Sequence, residues 1–241
     1  MSDGARLLQD EMDALLRGRT GVTVLEAGCG SLSHLRFPED ARLVGIDIAQ
    51  DQLDRNALLH ERINGDIQTY DLGASRFDVI VCWDVLEHLE HPEQALQRFG
   101  KAVRDEGVIV LSAPNLLSPK GLATRLTPHG FHLWFYRNVR GWKAAGTEGN
   151  PPFRAFLKAS MTLGAIRRFA EANGLEVAYE RTSGSGDSVD IVGRKSWKVD
   201  LFVVPLNLLL LAVTIGRIDA RKTQYFVILR KPALTKPGDM T

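Results

Sequence analysis

Only two cysteines, Cys29 and Cys82, occur among the 241 residues, and both stand in apolar runs without metal-type spacing. This argues against a disulfide framework, predicts packed thiols and fits a reducing cytoplasm. An excess of charge of one sign is also missing: 30 Lys and Arg oppose 29 Asp and Glu, for a formal net charge of +1. Composition therefore gives no electrostatic footprint for nucleic acid, and such a partner is not expected. The opening, MSDGARLLQDEMDALL, has early acids and no apolar core of signal-peptide length, so no secretion signal is read there. No apolar run reaches the roughly 20 residues of a membrane-spanning helix. The longest, Val199 to Ile215, is shorter and is broken by Pro205 and Asn207.

Apolar material is nevertheless spread along the chain, enough for one core, and the length predicts a single domain over 1–241. Leu7, Leu8, Met12, Leu15 and Leu16 recur at helical spacing and predict an amphipathic helix, closed near Gly18, on a sheet edge. Short apolar runs predict strands over Val22 to Ala27, Leu43 to Ile48, Arg62 to Gly65, Phe77 to Cys82, Val108 to Ser112, Leu175 to Arg181 and Gln224 to Leu229. Pro92 at a helix start, with Ala95, Leu96, Phe99 and Val103 at helical spacing, marks a crossover helix. A second helix is expected over Leu163 to Asn173, stopped by Gly174. Strands alternating with helices predict an α/β, Rossmann-like, mostly parallel sheet of seven strands with helices on both faces. Two insertions interrupt it: a lid at about 113–160 and an apolar helical segment at about 183–222.

The first strand runs into Gly28-Cys29-Gly30. Strand, glycine turn and helix bring backbone amides close to a nucleotide-like ligand, because Gly28 and Gly30 carry no side chain to block it. Glu26 stands two residues before the turn, and Asp47 ends the next strand, where a carboxylate can accept both ribose hydroxyl protons. A nicotinamide-binding turn would usually want a third glycine at Ser33, so the pattern points away from dehydrogenases.

Over Val22 to Ser112 the chain resembles class I S-adenosylmethionine-dependent methyltransferases, through VLEAGCG, VGIDIA, INGDI and FDVIVCWDVLEHLEHPEQAL in the expected order. In motif pattern it is most similar to ubiquinone-pathway O-methyltransferases. The resemblance implies S-adenosylmethionine as cofactor, with Gly28, Cys29 and Gly30 at its methionine part, Glu26 at its amino group, and Asp47 and Ile48 at the ribose. It also implies that Asp66 and Ile67 border the adenine, and that Cys82 and Trp83 lie along the cofactor's length. An Asp after Gly, as at Asp66, equally suits an ordinary turn.

Methyl transfer needs the acceptor held opposite the sulfonium, and a hydroxyl acceptor must also lose a proton. Asp84, Glu87 and His88 stand at i, i+3 and i+4, so one helical turn would project them from one side. This pattern resembles the metal-binding face of small-RNA 2′-O-methyltransferases and ubiquinone-pathway O-methyltransferases, in which a downstream histidine completes the site. His129 and His132 are the candidates here for a divalent ion. Two alternatives stay open: Asp84 as a helix N-cap paired with Glu87, or His88 or His132 as a general base without an ion. His34, His60 and His91 read as surface or packing residues.

The lid stretch interleaves Phe131, Trp134, Phe135, Tyr136 and Trp142 with Lys120, Arg125, Arg137, Arg140 and Lys143, which suits a planar or anionic substrate or simple packing onto the domain. Basic residues flank 199–215, so that segment could dock on an anionic bilayer as a peripheral contact, wall a substrate, form a homodimer or be a core helix. The leading expectation is methylation of a hydroxyl on a small or lipid-like molecule. An RNA 2′-O-methyltransferase and a non-catalytic, membrane-recruited scaffold are the alternatives.

Overall fold

The computed structural model describes residues 3–116, 118, 121, 127–139, 141–147, 155–184 and 222–233. Its strands are β1 (Thr23–Ala27), β2 (Arg42–Asp47), β3 (Glu61–Asn64), β4 (Phe77–Trp83), β5 (Val103–Pro114), β6 (Glu176–Gly184) and β7 (Lys222–Arg230). They form one sheet in the order β3-β2-β1-β4-β5-β7-β6. The first five pair in parallel, and β7 runs antiparallel between β5 and β6.

The helices are α1 (Asp3–Leu15), α2 (Gln50–Arg55), α3 (Pro92–Ala102), α4 (His129–Trp134) and α5 (Leu163–Ala172). Because successive strand residues face opposite sides, each strand feeds two cores. Leu25, Ile80 and Cys82 join Phe99 of α3 and Ile166 of α5 on one face. Val24, Val79 and Val81 join Leu8 and Met12 of α1 and Leu53 of α2 on the other. As expected, α1 lies against the β6 and β7 edge. Strand β5 begins earlier than its apolar run implied, because Val103 pairs with Phe77 across a register shift before Gly107.

The helix expected after the glycine turn is absent: residues 28–41 are turns and bends. Two causes are visible, one local and one distant in sequence. Pro38 disfavours helical geometry at Phe37, and the Arg36 amide already donates to the Gln9 side chain at 2.8 Å. Leu35 of this loop is buried against the α1 face of the sheet, and Phe37 packs there partly buried. The apolar segment 199–215 and its membrane, dimer and substrate-wall alternatives lie outside the described residues, as do Lys120, Arg125 and Arg140 of the lid stretch. Among the described residues no helix is long and apolar enough to cross a membrane.

Candidate functional site

Strand order reverses at β1: β2 and β3 lie to one side and β4 to the other. In such sheets the crevice beyond the carboxyl ends at this switch point is where ligands bind. The end of β1 runs into Gly28 (φ 71°) and Gly30 (φ 53°), both in the left-handed region. At Gly28 a side chain is barred twice, since a Cβ there would also come within 2.5 Å of a Val85 methyl. At Gly30 a Cβ would meet nothing within 4 Å, so the turn opens onto free space.

Two acids bracket this turn. Glu26 is buried and accepts a hydrogen bond from the Ser33 hydroxyl. Burial raises its carboxyl above the ordinary range, with Ser33 working against the shift. Asp47 accepts from the Gly30 amide and the Ala49 amide, each at 2.9 Å, and so ties the turn to the end of β2. Ile48 next to it is 75% exposed. Asp66 closes a local turn, accepting from the Gln68 amide at 2.8 Å and from the Gln68 side chain. The side chains of Ile67 and Cys82 belong to the core rather than the crevice, so either would touch a ligand there through its backbone. Cys29 is buried beside Gly45, and burial with the nearby Asp47 and Glu26 pushes its thiol up to about 12.

At the end of β4, Trp83 stacks on His34 with ring centroids 5.2 Å apart and an interplanar angle of 6°. Both line a small cavity with Glu26, Gly28, Leu32 and Val81. Partial burial lowers the His34 pKa, with Asp84 pulling the other way. Asp84 Oδ1 accepts from the Ser112 hydroxyl of β5 and from the Gln224 side chain of β7, each at 2.9 Å. Glu87 is buried, its Oε2 has no hydrogen-bond partner, and burial reinforced by Asp84 holds its carboxyl well above the usual range. The backbone of the returning insertion is fastened here, where the Phe156 amide donates to the Glu87 carbonyl at 2.7 Å.

The single helical turn expected to gather Asp84, Glu87 and His88 does not form. Asp84 takes φ 52°, and only Leu86–His88 coil, as a 3-10 turn whose N-cap is Val85 without a side-chain bond. The N-cap alternative for Asp84 fails for the same reason, its carboxylate being turned to Ser112 and Gln224. Nor do the downstream histidines complete a set: His132 Nε2 bonds the Thr127 hydroxyl at 2.8 Å. Among the described residues no three His, Cys, Asp or Glu side chains are grouped to hold a metal ion, so Asp84, Glu87, His88, His129 and His132 do not fit one. The His88 ring nitrogen lies 4.0 Å from Glu87, and about a third of its side chain is exposed.

In the insertion, α4 carries Phe131 and Trp134, both about half exposed and stacked 5.9 Å apart. Tyr136 meets Trp142 edge-on, and Arg137 donates to the Ala145 carbonyl, so part of this aromatic and basic set packs on itself. Reading by local pattern missed Ser33, His34, Ser112 and Gln224. Only the motif neighbourhood of Ser33 and His34 could have drawn attention to them, since Ser112 and Gln224 reach Asp84 through the fold.

Residues 2–180 match the family model described as a methyltransferase domain. Among curated proteins the chain is 27% identical over 124 residues to the mitochondrial ubiquinone biosynthesis O-methyltransferase of Saccharomyces cerevisiae, covering 46% of this chain and 39% of that protein. It is 28% identical over 170 residues to the ubiquinone biosynthesis O-methyltransferase of Idiomarina loihiensis, covering 66% and 63%. The chain thus spans between about two fifths and somewhat under two thirds of these relatives' lengths. In fold it is similar to the N-methyltransferase NodS from Bradyrhizobium japonicum in complex with S-adenosyl-L-homocysteine, with a TM-score of 0.52 and 15% identity over 94% of this chain and 86% of that one. The [4+2]-cyclase SpnF is similar too, with a TM-score of 0.57 and 13% identity over 95% and 81%. With its sheet order, its glycine turn and a family match over most of its length, the chain belongs to the class I methyltransferases, whose cofactor is S-adenosylmethionine.

Proposed function

We propose that the chain, as one domain built on this sheet, transfers a methyl group from S-adenosylmethionine to a hydroxyl of a small or lipid-like molecule. The observation that carries this reading is the meeting, at one switch point, of a glycine turn flanked by Glu26 and Asp47 with a second polar set, Asp84, Ser112 and Gln224, one strand away. The names of the two relatives support oxygen as the atom methylated. The fold alone would not, since a cyclase shares it.

The residues fit the cofactor because the turn is open at Gly30 and a buried carboxylate stands behind it. When bound, the cofactor supplies a sulfonium methyl for in-line displacement. Gly28, Cys29 and Gly30 lend backbone to its methionine end, and Glu26 takes the amino group. Asp47 keeps its second lone pairs for the ribose hydroxyls while holding the turn. Ile48 stands beside the ribose, Asp66 and the Ile67 backbone border the adenine, and the Cys82 backbone and the Trp83 ring lie alongside. Asp84 orients the acceptor, and His88, beside Glu87, takes the hydroxyl proton. His132, on the insertion, is the second base candidate.

The test is calorimetric titration with S-adenosylhomocysteine followed by transfer of labelled methyl to a panel of phenols, catechols and amines, with and without apolar tails. Ether products support the reading. Product from amines alone overturns oxygen as the acceptor, and tight cofactor binding with no turnover on any acceptor favours the scaffold alternative.

A further inference from the structure

The loop after the glycine turn has no helix to hold it. In its place stands one side chain of α1. Gln9 of α1 is fully buried, and its amide makes two bonds to a single residue: Oε1 accepts from the Arg36 amide and Nε2 donates to the Arg36 carbonyl, each at 2.8 Å. The remaining Nε2 proton goes to Asp13 at 2.7 Å, so both amide protons and one lone pair of the amide oxygen are engaged. The pairing copies what a neighbouring strand would offer, on a segment with no strand beside it. A hydrocarbon would fill the same volume, so packing alone does not require this residue.

What the clamp holds is the short segment that lines the cofactor cavity. Three residues before Arg36, Ser33 gives its hydroxyl to Glu26, and His34 lies on Trp83. The hydrogen bonds of Gln9 go to Asp13 and Arg36, not to these two side chains. We propose that Gln9 is a positioning residue for cofactor binding: by gripping the Arg36 backbone it sets Ser33 against Glu26, replacing the crossover helix as the support of the glycine turn. This rests on the reading of that turn as the cofactor site. It makes α1, which lies on the far β6 and β7 edge, part of the binding apparatus.

The experiment uses the full chain and S-adenosylhomocysteine as the probe. Gln9→Met keeps length and volume and removes all three bonds. Calorimetry should show its dissociation constant raised at least tenfold, and amide exchange in the 32–37 segment should accelerate while the β4 and β5 amides stay protected. The mechanism makes a further demand: since Gln9 acts through Ser33, the double variant Gln9→Met with Ser33→Ala should bind no worse than the weaker single variant. Additive losses overturn the proposal, as does Gln9→Met binding within twofold of the parent. If Gln9→Met does not fold, Gln9→Asn, which keeps a neutral amide but withdraws it from the Arg36 backbone by one methylene, should show the same pattern at smaller size, and parent-like binding by it sinks the idea. A parent protein that does not bind the probe would indict the cofactor reading instead, while loop exchange still reports on the clamp.

Discussion

Glu87 combines a buried carboxyl oxygen that lacks a partner with a neighbouring carboxylate, and both press it toward the protonated form. Its folded pKa is raised above the unfolded value, so the stability it contributes is present below the ordinary carboxyl range and is lost as pH rises through the folded value. Glu87→Gln keeps the shape and removes the titration. The variant should therefore gain on the parent as pH rises, by about 1.4 kcal/mol for each unit of the shift, and should match it in acid. Melting temperatures across the acid-to-neutral range check this, and parallel curves would show that Glu87 is ionised without penalty. At Asp47 two roles meet. Asp47→Ala loses the anchors on Gly30 and Ala49 as well as the expected ribose acceptor, and S-adenosylhomocysteine affinity should fall by about 1 to 3 kcal/mol. Unchanged calorimetric affinity in a folded variant would move the cofactor site elsewhere.

Among elements, the glycine turn packs directly against the turn after β4, with Val85 over Gly28. Gly28→Ala would need a positive φ and would push a methyl against Val85, so a loss of about 2 to 4 kcal/mol is expected, reported by denaturant unfolding. Adding Val85→Ala should recover the steric share but not the conformational one; no recovery at all would mean that the backbone strain is the whole effect. The legibility of these elements followed their locality. Apolar runs such as Val79 to Cys82 announced strands, and the glycines with Glu26 and Asp47 announced the crevice, because each is a pattern within a few residues. The geometry at Asp84 was hidden, since Ser112 and Gln224, which bond its carboxylate, are drawn in from β5 and β7. The missing helix after Gly30 was hidden for a like reason: its competitor for the Arg36 amide, Gln9, lies 27 residues away.

Across the whole molecule, the crevice has a counterpart at the opposite end of the strands. Asp78, near the start of β4, is largely buried and accepts from Arg19 at 2.9 Å, Arg104 at 2.6 Å and the Thr23 amide at 2.8 Å, joining the chain after α1 to β1 and β5. Asp78→Ala leaves two partly exposed cations without their partner, and it should cost about 2 to 4 kcal/mol of stability while the affinity of the folded fraction for S-adenosylhomocysteine stays unchanged. Chemical unfolding with calorimetry separates the two, and a parallel loss of affinity would couple the two ends of the sheet. The position of β7 has a consequence in time. It is the last in sequence of the sheet's seven described strands, yet it lies inside the sheet, between β5 and β6. On a ribosome β5 and β6 emerge first and wait with facing edges unpaired, a state exposed to wrong partners. Gln224 rides on that late strand, so the hydrogen-bonded surroundings of Asp84 are completed only when the sheet is closed. A nascent chain stalled before β7 would display the glycine turn, but not the finished setting of Asp84.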